Sequence, residues 1–88
     1  MRKIFRTKQF KKDFKRSKRQ NKDCKLLKCV IDLLVKGKKL SSKYSDHSLH
    51  GDYVGCRECH VAPDWLLIYI ATEKELKLVR LGSHSDLF

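Results

Sequence analysis

Proline and glycine are scarce in this sequence, with one proline and four glycines among 88 residues. Together with a hydrophobic share of 41%, that scarcity excludes a low-complexity linker or a chain too polar to fold. Apolar residues never run long enough to span a bilayer. Behind Met1-Arg2-Lys3-Ile4-Phe5-Arg6 there is no apolar stretch of roughly seven to fifteen residues, as a secretory leader would need. A cytoplasmic protein without membrane attachment is the expectation. The length leaves no room for a second core or a nucleotide-cofactor domain, which excludes a Rossmann dehydrogenase or a P-loop enzyme. Residues 1–88 are read as a single domain with no cofactor.

Acidic residues are also few, 10 against 21 Lys and Arg, for a net charge of +11. Such an excess points to a polyanionic partner: nucleic acid, an anionic membrane or an acidic protein. The charge is unevenly placed. Residues 1–43 hold 17 basic and three acidic side chains, and residues 44–88 hold four and seven. All four histidines, His47, His50, His60 and His84, lie in the second half with the only Trp. Electrostatics and chemistry occupy different segments.

Arg2–Arg6 reads as a short strand, and Thr7 offers a hydroxyl that can cap a helix behind it. In that helix Phe10 and Phe14 share a narrow apolar stripe, and basic residues cover most of the rest. Cys24, Leu27, Val30, Ile31, Leu34 and Val35 repeat at three- and four-residue steps in a second helix, with Gly37 as its C-terminal cap. Residues 38–49 read as a loop. Tyr53–Val61, Trp65–Ala71 and Leu76–Leu81 are β-rich runs joined by hairpin-length connections. Both faces of the middle run are apolar, which marks a central strand covered by helices on one side. The fold class is α+β, an antiparallel meander with two helices.

Cys56-Arg57-Glu58-Cys59-His60 matches the C-x-x-C-H string of c-type haem attachment. Side chains three apart on a strand point to opposite faces, so Cys56 and Cys59 cannot converge on haem or zinc. Cys24 and Cys29, five apart on a helix, are poorly placed to complete a zinc site. Small, half-buried thiols and no metal are expected.

Four histidines beside a basic half can supply acid and base to a phosphate substrate near neutral pH. RNA needs no metal for its own cleavage, since its 2′-hydroxyl is the nucleophile and a base, an acid and a cation suffice. His60 and Asp64 flank a tight turn, which predicts that they lie close together. The alternative is that Asp64, after Pro63, only shapes the turn. Arg80 either binds phosphate or marks a strand's wet end, and Phe88 either stacks on a base or docks into the core. The dense basic run from Lys8 to Arg19 is either a solvated helix face or an RNA-facing surface, and its density favours RNA.

A spaced string in the second half is specific. Tyr44-Ser45-Asp46-His47-Ser48-Leu49, Gly51, Gly55-Cys56-Arg57-Glu58, His60-Val61-Ala62-Pro63-Asp64-Trp65-Leu66-Leu67-Ile68-Tyr69 and Arg80-Leu81-Gly82-Ser83-His84-Ser85-Asp86-Leu87-Phe88 together resemble the YafQ-type branch of the RelE/ParE toxin superfamily. The resemblance implies a compact RelE-like α+β fold, with a small antiparallel sheet, mixed at its N-terminal strand, and a helical hairpin on one face. It implies an mRNA interferase that cuts message in the ribosomal decoding site and is silenced by a cognate antitoxin on the basic surface. By the same resemblance His47, His60, Asp64, His84, Arg80 and Phe88 form the catalytic set. His84 is then the general acid, His60 with Asp64 the base side, Arg80 the partner of phosphorane charge and Phe88 a base-stacking group. Lys8, Lys11, Lys12, Lys15, Arg16, Arg57 and Trp65 are expected to contact RNA. Cys56, Cys59 and His50 take no role from the family pattern. The competing readings are a non-catalytic nucleic-acid- or antitoxin-binding module and a ParE-like gyrase inhibitor, the latter disfavoured by the histidine cluster.

Overall fold

The computed structural model describes residues 1–88. After the first strand, β1 (Lys3–Arg6), Thr7 is extended and its hydroxyl accepts the Phe10 N–H at 2.9 Å, starting helix α1 (Lys8–Arg19) where a free helical donor finds a side-chain oxygen. Helix α2 (Cys24–Val35) starts at Asp23, whose carboxylate accepts the Lys25 N–H at 3.0 Å. It stops in a Schellman arrangement, with the Lys38 N–H on the Leu33 carbonyl and the Gly37 N–H on that of Leu34. Gly37 has φ +72°, a conformation that a side chain would strain, so the expected cap is found.

The narrow stripe of α1 has a particular composition: its buried residues are Phe10, Asp13 and Ser17. Two of the three are polar, and each is matched to a partner in the sheet. The Ser17 hydroxyl accepts from Trp65 Nε1 at 3.2 Å, and the Asp13 carboxylate accepts the Leu81 N–H at 3.0 Å. Buried polar groups of this kind stabilise only when paired, and here they fix how α1 lies along the sheet.

That sheet adds β2 (His47–Ser48), β3 (Arg57–Ala62), β4 (Trp65–Ala71) and β5 (Glu75–Gly82). Its order is β1-β5-β4-β3-β2, with β1 parallel to β5 and every other pair antiparallel. In β4, Trp65, Leu67 and Tyr69 join the core under α1 and α2, with Val30, Leu34, Leu76 and Leu78. Leu66 and Ile68 face the other way and pack with Cys56 and Leu87. Leu66, Leu67 and Ile68 are fully buried, each contributing about 1.5–3 kcal/mol by leaving water. The α+β class, the helical hairpin on one face and the sheet mixed at its first strand all follow the expectation.

Two details differ from it, and one adds to it. The run expected to be strand from Tyr53 begins only at Arg57, because Gly51–Tyr53 is a 3-10 turn. The expected loop 38–49 contains a 3-10 turn, Ser42–Tyr44, and the two-residue β2, too short to carry a period but pinned by its register on β3. The chain end is ordered as a short helix, α3 (His84–Leu87), with a capping box in which the Ser83 and Asp86 side chains each accept the other's backbone N–H. Leu87 is buried and anchors it. No helix is long and apolar enough to cross a membrane.

Candidate active site

Strand alternation builds the site. Cys59 faces the helix-covered core, so Glu58 and His60 on either side of it face the opposite, more open surface. Register then lines up side chains across that surface: Glu58 pairs with Ile68, and Ile68 with Arg80, while His60 pairs with Leu66, and Leu66 with Gly82. His47 on β2 sits opposite Glu58. The ends of three strands and the C-terminal helix therefore meet at one place.

Glu58 is the hub of one half. Its carboxylate is almost fully buried, with Oε1 3.5 Å from His47 Nε2 and 3.7 Å from His60 Nε2. His47 Nδ1 lies 2.7 Å from the Ser45 carbonyl, which can only accept, so that nitrogen carries a proton and Nε2 is turned to Glu58. Asp64 is the hub of the other half. Its Oδ1 accepts both the His84 backbone N–H, at 2.9 Å, and His84 Nδ1, at 2.8 Å. Those two hydrogen bonds, the backbone one first, hold the Asp64 carboxyl below its ordinary range. Nδ1 being committed, His84 presents its Nε2 edge. The His60 and His84 rings stand edge to face at 5.8 Å.

A cation and two aromatic rings complete the surface. Arg80 donates from Nε to Asp13 Oδ2 at 2.8 Å, from Nη2 to Asp13 Oδ1 at 3.3 Å and from Nη1 to the Tyr53 hydroxyl at 3.2 Å. Burial acts to raise the Asp13 pKa, but donors from Arg80, the Leu81 N–H and Gln9 outweigh it and leave the carboxyl below its usual range. Asp13 is thus an anion under the sheet edge that fixes the cation above it. Tyr53 meets Phe88 edge-on at 5.7 Å, and Phe88 lies 6.5 Å from the His84 ring with most of its surface open to solvent. Gly82 allows this convergence: a Cβ there would stand 2.8 Å from Arg16 Nη2 and 2.9 Å from Asp86 Cβ.

His47, His60, His84, Asp64, Arg80 and Phe88 are accordingly gathered on one surface. The pairing within it differs from expectation, for Asp64 serves His84, and the carboxylate beside His60 is Glu58. Asp64, in the left-handed region at φ +53°, bonds the chain-end helix at His84. Glu58 lies outside the expected set, and its signal in the sequence is a carboxylate two residues from His60 on one face of a strand. Trp65 does not line this surface. It is 2% exposed in the helix-side core, its indole N–H spent on Ser17. Arg57 also points away, because it alternates with Glu58, and its guanidinium donates to Asp46 at 2.6 Å and Ser48 at 3.1 Å. Arg16 is spent within the fold on Asp13, Asp86 and the Leu81 carbonyl. Lys11 and Lys15 line a groove between α1 and α2 on the far side of the sheet from the histidines, and Lys8 and Lys12 are exposed on α1.

Cys56 and Cys59 fall in the two separate apolar clusters, as alternation requires, and all four cysteines are free thiols. Burial pushes the Cys59 thiol up to about 12. Ligand atoms of Glu58, His60 and His84 all lie within 4.8 Å of one another, a nitrogen-rich set of the kind that accepts zinc, nickel or copper. The same three groups can pass protons to and from a substrate's oxygens, since two imidazoles from different elements and one carboxylate converge at one point.

Comparison with known proteins identifies relatives of the whole chain and of its fold. The family described as a bacterial toxin of type II toxin-antitoxin systems, YafQ, matches residues 2–88. The mRNA interferase toxin YafQ of Escherichia coli K12 is 42% identical over 81 residues, covering 91% of this chain and 88% of that protein. Among solved structures, the E. coli DinJ-YafQ toxin-antitoxin complex aligns at a TM-score of 0.91 with 41% identity, over 99% of this chain and 97% of that one. A metal-bound toxin from Helicobacter pylori aligns at 0.92 with 46% identity over the whole of both chains.

Proposed function

The chain belongs to the YafQ family of type II toxin-antitoxin toxins, and from that premise we propose that it is an mRNA interferase, an endoribonuclease that cuts message on the ribosome and is held inactive by a cognate antitoxin. The observation that carries the reading is the pair of histidines held by different carboxylates, His60 beside Glu58 and His84 on Asp64, with their rings edge to face.

In this mechanism the RNA supplies its own nucleophile. The His60–Glu58 side takes the proton of the 2′-hydroxyl, whose oxygen attacks the adjacent phosphorus. His84, oriented by Asp64, gives a proton to the departing 5′-oxygen. The products are a 2′,3′-cyclic phosphate and a 5′-hydroxyl, and no metal enters the balance. Arg80 stabilises the charge that develops on the phosphorane, pre-oriented by Asp13 so that little reorganisation is needed at the moment of reaction. Phe88 stacks on a neighbouring base. His47, also on Glu58, tunes the base side. The exposed lysines of α1 attract polyanions, which suits both RNA and an acidic antitoxin segment.

The test is cleavage of a defined message by purified protein in EDTA, with and without programmed ribosomes, for wild type, His84→Ala and His60→Ala. Cuts that end in a cyclic phosphate, persist in EDTA and disappear in both variants are expected. Intact RNA under every condition, with salt-sensitive binding retained, would replace the enzyme by a binding module.

A further inference from the structure

We infer that the cleft at the outer edge of β3, beside His60, is a nucleobase pocket that takes the base of the nucleotide on the 5′ side of the cut. The inference rests on the endoribonuclease reading and adds a substrate-binding element to it.

β2 pairs only with Arg57 and Glu58, so from Cys59 to Ala62 the edge of β3 has no neighbouring strand. A cavity of about 460 Å³ opens there, between that edge, α2 and the 3-10 turn at Ser42–Tyr44. Its wall is mostly apolar: Leu26 and Cys29 from α2, Tyr44 from the turn, and Ala62 and Pro63 from the strand end. The size lies within the ~300–1,000 Å³ range of small-molecule sites. Leu26 is 43% exposed, one of few large apolar side chains left open on this molecule, and nothing in the fold covers it.

Three observations select a nucleotide as the occupant. First, the lining includes Lys43 and His60 but no carboxylate. The α1–α2 groove, by contrast, includes Asp32, and the larger depression near Arg57 includes Asp46. The cleft is therefore complementary to a polyanion. Second, the Lys43 ammonium sits 5.0 Å from the centre of the Tyr44 ring, a cation resting on an aromatic face. A base sliding onto that face displaces the ammonium toward a backbone phosphate, so aromatic and cation are each satisfied by a different part of one nucleotide. Third, His60 belongs both to this cleft and to the catalytic surface, so a base held here places its own ribose on the side where the 2′-hydroxyl proton is removed. Phe88 lies beyond His84, where it can meet the base on the 3′ side.

The experiment walks an abasic nucleotide along a short RNA and measures two things at each position. One is kcat/KM for cleavage, with and without programmed ribosomes. The other is the affinity of the uncleavable 2′-O-methyl version, by fluorescence anisotropy. Wild type is compared with Tyr44→Leu, which keeps apolar volume, with Tyr44→Phe, which keeps the ring, and with Lys43→Gln, a surface change that cannot unfold the chain. Loss of the base 5′ to the cut is expected to lower wild-type kcat/KM about tenfold. That penalty should vanish in Tyr44→Leu and persist in Tyr44→Phe. Lys43→Gln should weaken binding and reduce the salt slope by about one. Cleavage with the same abasic penalties in wild type and Tyr44→Leu overturns the pocket and leaves the nuclease standing. A Tyr44-dependent penalty in binding, without cleavage under any condition, leaves the pocket standing and removes the nuclease. No position that depends on Tyr44 in either readout removes the pocket.

Discussion

The two faces of one sheet are built from the same strands and carry opposite kinds of side chain. Under α1 and α2 lies a core of 13 buried residues, almost all aliphatic or aromatic. On the other face the buried cluster has four members, and around it stand Glu58, His60, Arg80 and the His84 helix. A face covered by helices can bury apolar area and must exclude unpaired charge. A face left partly open can hold titratable groups in contact with a substrate, provided each is anchored. His60 meets Glu58 on its own strand, and the other anchors come from elsewhere in the fold: β2 brings His47 to Glu58, the β3–β4 turn brings Asp64 to His84, and α1 brings Asp13 to Arg80.

The comparison is broken most strongly on the open face. His84→Ala and His60→Ala are expected to reduce cleavage by about 10²–10⁴-fold, with thermal midpoints close to wild type, because neither ring is buried; activity assays paired with melting curves check both parts. The mirror image is Leu67→Ala on the covered face. A fully buried leucine truncated there should cost about 2–5 kcal/mol in denaturant unfolding, with cleavage per folded molecule near wild type at low temperature.

Asp13 joins the two faces, and pH sharpens its role. Its carboxyl is lowered from an ordinary value of 3.8, so its charge stabilises the fold above that pH and the stabilisation is lost as pH falls through the native value. Asp13→Asn should therefore be clearly destabilised near neutrality, and the gap to wild type should close on acidification below about pH 4; urea unfolding at stepped pH reads this directly. A gap that widens in acid would refute the assignment.

Gly82→Ala places a methyl against Arg16 and Asp86 and should cost about 1–3 kcal/mol. Because α3 must shift to admit it, cleavage should fall by more than the stability loss explains. Arg57→Ala has the smallest expected effect. Its partner Asp46 is on the helix side of the sheet, so stability should change by about 1 kcal/mol or less and cleavage by less than twofold.

Much of this architecture was legible in local sequence. The Thr7 cap, the α2 period with Gly37 behind it, and the span of β4 depend on side chains within a few residues of each other, where propensity and periodicity act. The opposite facing of Cys56 and Cys59 followed from alternation alone. The motif string names six residues that the structure gathers on one surface, but not who partners whom. Nearness in sequence pairs Asp64 with His60, whereas it bonds His84, twenty residues on. Trp65 and Arg57 stand inside the motif as expected RNA contacts, although alternation sends each to the other face.

What the sequence determined by itself, then, was the inventory: a basic first half, a histidine-bearing second half, the helices with their caps, and the alternation that assigns each strand residue to a face. Only the tertiary structure decided the pairings. Glu58 with His47, Asp64 with His84 and Asp13 with Arg80 each join side chains from different elements. The physical reason is that periodicity specifies which way a side chain points, while register, turn conformation and the seating of a helix on a sheet specify what it meets there. Those are set by the packing of the whole chain, and a carboxylate one strand away leaves no local trace.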